Sequence, residues 1–328
     1  MSMAPLAIGL DIGGTKCALS VGSCGETVQI LHREEFPTAG LTWQQVLASF
    51  AARIEALRAE SFNIVPQAEV PLAQLPIGIS CGGPLDSKAG LILSPPNLPG
   101  WDNVPIVQYF AERFHTSVKL QNDANACAYA EWRFGAGRGT ENMVFMTFGT
   151  GLGAGLVLGG RLYSGTNDNA GEIGHIRLAP TGPRGYNKDG SAEGFCSGAG
   201  MARLAGIRAR EGKWPGSATA ELARQNALAT RELFAHVRAG DPFCTAVFRE
   251  SATHLAMILA YTIDILNPEV IVLGGVYMRN ADLFEPAINP ILAREALPFA
   301  RKVCRVVPAA LSENIGDCAA LAIALEGT

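Results

Sequence analysis

Two segments of this 328-residue chain share the order strand, glycine-rich turn, strand, and this repeat restricts the fold more than any other feature. Near the N-terminus, LAIGL leads into the turn DIGGTK, which is followed by CALSVG. Later, MVFMTF leads into GTGLGAG, which is followed by LVL. A repeated supersecondary unit predicts two related lobes, each with a loop of phosphate size. We expect a small-molecule site in a cleft between such domains.

The glycine-rich turns are suited to phosphate groups, because glycine lets a backbone approach closely and successive amides form an anion nest. The first turn adds a hydroxyl group, a lysine, and a carboxylate placed to hold Mg²⁺ through water. A single glycine turn is more often a hairpin connection, but three at the ends of apolar strands favour nucleotide binding. The expected nucleotide-binding residues are Asp11, Gly13, Gly14, Thr15, Lys16, Thr150, Gly151, Gly274 and Gly275.

Two other nucleotide motifs are excluded by the sequence. The chain has no G-x-x-x-x-G-K-[ST] segment, so it has no Walker loop. GTGLGAG is followed by apolar residues typical of a strand, whereas a dinucleotide-binding fingerprint opens a helix. The formal net charge of −4 shows no basic excess, so nucleic-acid binding is not expected.

Length, cysteine usage and hydropathy limit the class of protein further. A chain of 328 residues exceeds one hydrophobic core, so two domains are expected. The eight cysteines form no C-x-x-C pair and are typical of free thiols in a reducing compartment. The first apolar run is interrupted by Asp11, and the most apolar helix, Leu255–Leu266, is too short for a bilayer. We therefore expect a cytoplasmic protein without a membrane partner.

Hydrophobic periodicity and turn residues predict the main elements. A proline-rich stretch over 94–105 excludes regular structure, because its four prolines break helices and ladders. The segment 248–266 is expected to be a buried helix. The remaining expected elements are strands at 28–35, 75–79 and 118–121, and helices at 43–57, 106–114, 123–134 and 316–325.

The glycine turns also carry a family resemblance. DIGGTK, TFGTGLGAG and VLGG resemble the phosphate and adenosine motifs of the actin–hexokinase–Hsp70 superfamily. Within it, GGPLD, NDANA and GEIGH resemble the glucokinase-like ROK family of sugar kinases over nearly the whole chain. The resemblance implies a two-lobed α/β fold of the actin-like ATPase (ribonuclease H-like) type, with mixed sheets and an interdomain cleft. The expected domains are 1–121 completed by 313–328, and 122–312, in a homodimer.

The resemblance also assigns roles to polar residues. It implies that Asp123 is the general base, with Asn122 as its sugar-binding neighbour, and that Glu172, His175 and Glu193 bind the sugar. An isolated aspartate there would more often interact with a helix dipole, an isolated histidine would be a core residue, and an isolated glutamate a solvated loop residue. Asn97, in the proline-rich stretch, is a further sugar contact to test, although Asn in such loops usually stabilises a turn.

One motif of the family is missing. ROK proteins commonly hold a structural zinc ion with a histidine and three cysteines, but the corresponding stretch here is RGYNKDGSAE. It places Arg184, Tyr186 and Ser191 where thiolates would be, and Cys196 alone cannot rebuild the site. We therefore expect no zinc site, and we expect other contacts to order residues 183–195.

The sequence thus favours an ATP- and Mg²⁺-dependent kinase that phosphorylates a hexose or hexose derivative, at the 6-hydroxyl because it is the most accessible. Glucose, mannose, allose, fructose and N-acetylhexosamines remain open as substrates. A non-catalytic sugar-binding regulator is the alternative from another class, but the intact DIGGTK turn disfavours it. A protein-directed ATPase and a polyphosphate-dependent kinase are also disfavoured, the first by NDANA and GEIGH and the second by the lack of a Lys/Arg track near the turns.

Overall fold

The fold is described here from a computed structural model, which describes residues 4–64 and 74–327. The chain divides into two compact units, and each is described by itself. The first comprises 1–139, 162–170 and 313–328, and the second comprises 140–161 and 171–312. Over the described residues, no helix combines the length and apolar character needed to span a membrane.

Most of the strands lie before residue 190, and most of the helices lie after it. The strands are β1 (Leu6–Ile12), β2 (Lys16–Cys24), β3 (Val28–Pro37), β4 (Ile77–Cys81), β5 (Leu85–Asp86), β6 (Leu91–Ile92), β7 (Val118–Asn122), β8 (Met143–Phe148), β9 (Leu152–Leu158), β10 (Arg161–Leu162), β11 (Arg184–Gly185), β12 (Lys188–Asp189), β13 (Val270–Leu273) and β14 (Arg305–Pro308). The helices are α1 (Trp43–Ile64), α2 (Ile106–Phe114), α3 (Asp123–Phe134), α4 (Ala192–Cys196), α5 (Gly198–Arg210), α6 (Ala218–Arg224), α7 (Thr230–Arg238), α8 (Pro242–Leu266), α9 (Gly275–Arg279), α10 (Ala281–Glu295), α11 (Pro298–Val303) and α12 (Ile315–Ala324).

Each unit is built on a five-stranded mixed sheet, and the two sheets repeat one strand order. The order is β3-β2-β1-β4-β7 in the first unit and β10-β9-β8-β13-β14 in the second. In both sheets the first strand pairs antiparallel with its successor and parallel with a later strand, β1 with β4 and β8 with β13. The repeat seen in the sequence is therefore a repeat of topology, and the expected α/β fold with mixed sheets is confirmed.

The sheet of the first unit is covered on both faces because small and large residues alternate along β1. Ile8, Leu10 and Ile12 join the core that α1 and α2 cover. Ala7, on the opposite face, packs in a second cluster with Leu321 of α12. A Cβ atom on Gly78 of β4 would lie 2.0 Å from the Ala320 carbonyl oxygen, so this helix lies directly on the strand backbone.

The predicted elements are largely those observed. Helix α2 and strand β8 have the expected bounds, and the long apolar helix is α8, which begins six residues earlier than expected, at a proline after the N-cap Asp241. The strand expected at 75–79 is observed as β4, two residues later. The proline-rich stretch contains no helix and only a single bridge between Ile92 and Val104.

The division into units differs from the boundaries expected at 121 and 122. Residues 122–139 belong to the first unit because α3 packs on α12, which also covers β1 and β4. Residues 162–170 also belong to the first unit, where Asp168 accepts hydrogen bonds from the backbone amide and hydroxyl of Ser87 at 2.8 and 2.9 Å. Neither association is visible in sequence order, because both join segments far apart in the chain.

Candidate active site

The residues expected to bind nucleotide and sugar are divided between the two units, and each set is described within its own unit. The first unit holds Asp11, Gly13, Gly14, Thr15, Lys16, Asn97, Asn122 and Asp123. The second unit holds Thr150, Gly151, Glu172, His175, Glu193, Gly274 and Gly275.

In the first unit, the polar residues collect at the carboxyl ends of three parallel strands. Asp11 of β1 is in register with Ser80 of β4, and Ser80 is in register with Gln121 of β7. The next residue, Asn122, ends β7 and begins the turn into α3. Ligands of open α/β sheets bind at this edge, because loops and helix starts there present polar groups to one place.

Asp11 is held in an unfavourable electrostatic environment. Burial, followed by the negative charges of Asp123 and Asp317, raises the pKa of its carboxyl group to about 6, while a hydrogen bond from Ser80 and the charge of Lys16 oppose the shift. The carboxylate also lies against the first turn of α12, where a Cβ on Gly316 would be 2.9 Å from its Oδ2. This concentration of negative charge is suited to a cation.

The turn after Asp11 has little room for side chains. Its closing bond runs from the Gly13 amide to the Lys16 carbonyl at 3.1 Å. A Cβ on Gly14 would lie 2.5 Å from the carbonyl oxygen of Asn97, so the proline-rich stretch packs directly on the turn. The Lys16 ammonium group forms an ion pair with Glu35 and is largely exposed. The glycine turn is therefore tight, with Asn97 beside it, and its binding of phosphate stays a prediction.

Asn122 and Asp123 form the beginning of α3. Asn122 is the N-cap, and its side-chain oxygen accepts hydrogen bonds from the amides of Ala124 and Asn125 at 3.0 and 3.4 Å. Asp123 Oδ1 accepts a hydrogen bond from the Ala124 amide at 2.8 Å. The Asp123 side chain is reachable by solvent, yet surrounding protein displaces enough water to raise its pKa, against the effect of the backbone hydrogen bonds. Asp123 is thus a better proton acceptor than an ordinary aspartate.

In the second unit, three glycine-containing segments approach one another. The Gly198 amide, at the start of α5, donates to the Gly149 carbonyl at 2.7 Å. Gly275 has a φ of 57°, and a Cβ there would lie 2.2 Å from the Phe148 carbonyl oxygen, so a side chain is excluded. The predicted turns at 149–151 and 274–275 are therefore adjacent, as expected for residues that contact one ligand.

The GEIGH segment packs its glycines on β9 and leaves its polar side chains exposed. A Cβ on Gly171 would lie 2.1 Å from the Ala154 carbonyl oxygen, and one on Gly174 would lie 2.0 Å from that of Leu152. Between and after them, Glu172 and His175 are exposed at the two ends of a short 3₁₀ turn. The two glycines are needed for close packing, which aims the acidic and imidazole groups outward.

Glu193 lies over the second glycine turn. It belongs to the first turn of α4, which Ser191 caps by accepting from the Gly194 amide at 3.1 Å. The Glu193 carboxylate accepts a hydrogen bond from the Leu152 amide at 3.2 Å. A Cβ on Gly151 would lie 2.7 Å from its Oε2. The side chain is thus fixed by the turn itself.

The residues around His175 do not fit the zinc site of the family. The neighbouring segment contains Arg184, Tyr186 and Ser191, none of which is a thiolate. Cys196 is buried, its thiol lies 3.7 Å from the Ser251 carbonyl oxygen, and burial raises its pKa well above the ordinary value. In residues 4–64 and 74–327, no three His, Cys, Asp or Glu side chains are grouped so as to hold a metal ion.

Sequence reasoning missed two residues that shape the first set, Asp317 and Ser80. Asp317 is buried, forms an ion pair with Arg33 at 2.7 Å, and acts on Asp11 through its charge. Ser80 donates a hydrogen bond to Asp11. An acidic residue in the first turn of an apolar helix was a visible signal for Asp317, but its nearness to Asp11 comes from packing of the chain's two ends.

Comparisons with known proteins identify the family of the chain. The model of the ROK family matches residues 7–326. The glucokinase of Thermotoga maritima is 31% identical over 97% of both chains. An N-acetylmannosamine kinase of Escherichia coli is 32% identical over 89% of this chain and 90% of its own. The chain therefore belongs to the ROK family.

Solved structures show the same fold. A ROK hexokinase from Thermus thermophilus has a TM-score of 0.79 and 31% identity, with 98% of both chains covered. A ROK glucokinase from Streptomyces griseus, determined in complex with glucose and AMPPNP, has a TM-score of 0.73 and 28% identity, covering 98% of this chain and 100% of its own. The expected fold class is thus confirmed for the whole chain.

Proposed function

We propose that this chain, a ROK-family sugar kinase, transfers the γ-phosphoryl group of ATP to the 6-hydroxyl of a hexose, with Asp123 as the general base. The observation that carries the proposal is the position of Asp123, reachable by solvent at the start of α3 and electrostatically coupled to Asp11 at the glycine turn. The glucokinases among its relatives, and the glucose and AMPPNP bound by one of them, support both substrates.

Asp123 serves as the proton acceptor. As the sugar oxygen attacks the γ-phosphorus atom, its proton passes to a carboxylate oxygen of Asp123. Proton loss is late in a loose transition state, so a carboxylate suffices, and the raised pKa brings Asp123 closer to the operating pH. Its bond from the Ala124 amide holds the carboxylate in one orientation during the transfer.

Asp11 and the glycine turns hold the nucleotide. The amides of the turn after Asp11 and of residues 150–151 suit phosphate oxygens, since successive N–H groups form anion sites. Asp11 would hold Mg²⁺ through water. Burial and two neighbouring carboxylates raise the pKa of Asp11. A bound cation would offset this repulsion between negative charges, so the ion fits the site. When bound, Mg²⁺ supplies charge neutralisation to the phosphate oxygens.

The sugar is held by side chains that match its hydroxyl groups. The side-chain oxygen of Asn122 is already used in capping α3. The side-chain nitrogen of Asn122, Nδ2, lies next to Gly83 and is the group that donates to the sugar. Glu172 and Glu193 accept hydrogen bonds from sugar hydroxyls. The His175 ring has two nitrogens, Nδ1 and Nε2, and each can donate or accept a hydrogen bond. These roles rest on the family resemblance together with the exposed positions of Glu172 and His175.

The proposal is tested by measuring ADP release with ATP–Mg²⁺ on a panel of hexoses and N-acetylhexosamines. We expect sugar-dependent turnover by the native chain and a loss of at least about 100-fold in kcat for Asp123→Asn, because general-base catalysis contributes that much. Glu221→Gln is the matched control, since it makes the same change in the first turn of α6. Its kcat should equal that of the native chain.

Measurements of sugar binding distinguish a kinase from a non-catalytic regulator. Asp123→Asn should still bind the sugar by calorimetry, because the amide keeps hydrogen-bonding capacity. If the native chain binds a sugar but turns over none, the protein is a non-catalytic regulator and the proposal is wrong. If turnover survives in Asp123→Asn, another group is the base.

The same panel decides the substrate. An N-acetylhexosamine is the second candidate, favoured by the 32% identity to the N-acetylmannosamine kinase. Replacing ATP with polyphosphate tests the donor. The position phosphorylated is read by phosphorus–proton NMR of the product, and phosphorylation at any hydroxyl other than the 6-hydroxyl would contradict that part of the proposal.

A further inference from the structure

We infer that the hairpin of residues 184–189 does by packing what a metal ion does elsewhere in the family, and that Tyr186 and Lys188 position His175 for the sugar. The inference rests on the proposed function, because it concerns the sugar-binding role of His175. It begins from the mismatch between this chain and the zinc site.

The hairpin is a complete structural unit. Its two short strands, β11 and β12, pair antiparallel, with Arg184 opposite Asp189 and Gly185 opposite Lys188. The two turn residues, Tyr186 and Asn187, have φ values of 43° and 63°. Positive φ at both central positions defines a type I′ turn, which favours Asn and Gly. The turn thus replaces metal coordination as the source of order.

Tyrosine is a poor choice for this turn. Outside glycine, asparagine and aspartate, the left-handed conformation is unfavourable, because Cβ approaches the following carbonyl oxygen. Strained positions persist where surrounding structure requires them, and they cluster at ligand sites. The Tyr186 ring is also 64% exposed, so core packing does not account for it. The reason for tyrosine lies in what its ring contacts.

That contact is His175. The two rings meet edge to face, with centroids 5.9 Å apart and planes at 84°. From the adjacent strand, the Lys188 ammonium group donates a hydrogen bond to the His175 carbonyl oxygen at 2.8 Å. Tyr186 therefore limits the orientations of the imidazole ring, and Lys188 holds the backbone of His175.

The hairpin also connects His175 with Glu193. Gly185 lies against α4, where a Cβ would be 2.7 Å from Ser191 Oγ and 2.9 Å from Glu193 Cβ. The Ser191 hydroxyl donates to the Gly185 carbonyl oxygen at 3.3 Å and caps α4. Just after His175, the Ile176 carbonyl oxygen accepts from the Ala192 amide at 2.8 Å. The two sugar-binding residues are thus held by one set of contacts.

A second anchor lies on the far side of α4. The Phe195 ring stacks on His254 of α8, with centroids 3.6 Å apart and planes within 2°. The Ser251 hydroxyl donates to the Phe195 carbonyl oxygen at 2.8 Å. Because α4 is fixed to α8, the hairpin that packs on α4 is held in place, and its contacts with His175 hold the ring in place as well. Tyr186 and Lys188 are therefore positioning residues for sugar binding.

The test uses turn-compatible substitutions in the full chain. Tyr186→Asn removes the ring but keeps a residue suited to positive φ, so the hairpin should be retained. Asn187→Gly is the matched control, because it relaxes the turn and keeps the ring. We expect Tyr186→Asn to weaken sugar affinity by about 3- to 10-fold, the value of an aromatic pair, and to raise KM more than it lowers kcat.

Asn187→Gly and Tyr186→Phe should keep the native sugar affinity, and Lys188→Met should weaken it. Circular dichroism and the melting temperature show whether each variant is folded. A double variant with His175→Asn should bind no more weakly than His175→Asn alone, because both changes act on one contact. Additive losses would indicate a general structural role and overturn the inference.

The possible results distinguish the two proposals. If the native chain binds no sugar, the proposed function is wrong and the inference is wrong with it. If His175→Asn weakens sugar binding but Tyr186→Asn changes it by less than threefold, only the inference is wrong. Stoichiometric zinc in the purified native protein, with loss of sugar affinity after chelation, would also overturn it.

Discussion

At the scale of single residues, Asp11 shows the conflict between stability and function most clearly. Its pKa is about 6 in the folded protein against 3.8 for an ordinary aspartate, chiefly because of burial and then because of Asp123 and Asp317. Between those two pH values the folded state binds more protons than the unfolded state, so stability falls as pH rises from about 4 to about 6. Above that window the ionised carboxylate carries its full cost.

Replacing Asp11 with Asn should therefore stabilise the ligand-free protein at neutral pH. A pKa unit corresponds to about 1.4 kcal/mol, so the shift from 3.8 to about 6 predicts a gain of roughly 3 kcal/mol above pH 6 that disappears towards pH 4. Kinase turnover should be lost, because the carboxylate that interacts with Mg²⁺ is removed. The measurement is the free energy of unfolding of both proteins in denaturant at pH 4, 5, 6 and 7.5.

Asp317→Asn is the control for this prediction. It removes a negative charge near Asp11, but it also breaks the buried ion pair with Arg33, so it should be neutral or destabilising. If Asp11→Asn destabilises the protein at neutral pH, or if its effect does not depend on pH between 4 and 6, then Asp11 is stabilised by contacts that outweigh its burial.

At the scale of elements, the packing of α12 on the first sheet brings the two ends of the chain together. A Cβ on Gly78 would lie 2.0 Å from the Ala320 carbonyl oxygen and 2.4 Å from the Ala324 amide nitrogen. Both are backbone atoms within a helix, so no side-chain rotation can relieve the clash. The helix must move away from β4, and with it the first turn that contacts Asp11.

Gly78→Ala should therefore destabilise the first unit by about 2–3 kcal/mol, as overpacking of a core does. A lower melting temperature in the native buffer would be the observation. Gly149→Ala is the matched control, since no atom lies within 4 Å of the added methyl group and φ is not positive there. A melting temperature of Gly78→Ala equal to that of Gly149→Ala would show that α12 is less closely packed than described.

The elements differ in how far their own sequences predict them. Strands β1, β8 and β13 were recognisable because each contains a run of mainly apolar residues before a glycine turn. The hairpin of β11 and β12 was not, because its segment has no alternating apolar pattern and its turn holds Tyr-Asn rather than Asn-Gly. Its two strands are stabilised by pairing with each other and by packing against His175 and α4.

At the scale of the whole molecule, the cysteines share one property, which is burial of the thiol. All eight are free and buried. Burial raises the pKa of Cys17 to about 11 and that of Cys24 to about 12, and it raises the others in the same direction. The thiolate is the reactive form, so these groups are chemically quiet in the folded protein.

We expect almost no reaction of the native protein with Ellman's reagent at pH 8, and eight thiols per chain after unfolding in guanidinium. A fast-reacting thiol in the native state would contradict the burial of that cysteine. Fewer than eight thiols after unfolding without reductant would contradict the absence of disulfides. The homodimer implied by the family resemblance stays a prediction, and sedimentation equilibrium measures it.

The sequence by itself determined the local features of this protein. Apolar runs, glycine turns and helix starts depend on neighbouring residues, so they identified both sheets' first strands, the helix that begins at Asp123 and the glycine turns expected to bind nucleotide. The tertiary structure alone decided which distant segments meet: Asp317 near Asp11, α3 with the first unit, and Tyr186 beside His175. These meetings depend on packing between residues far apart in the chain, and no local pattern encodes a contact of that kind.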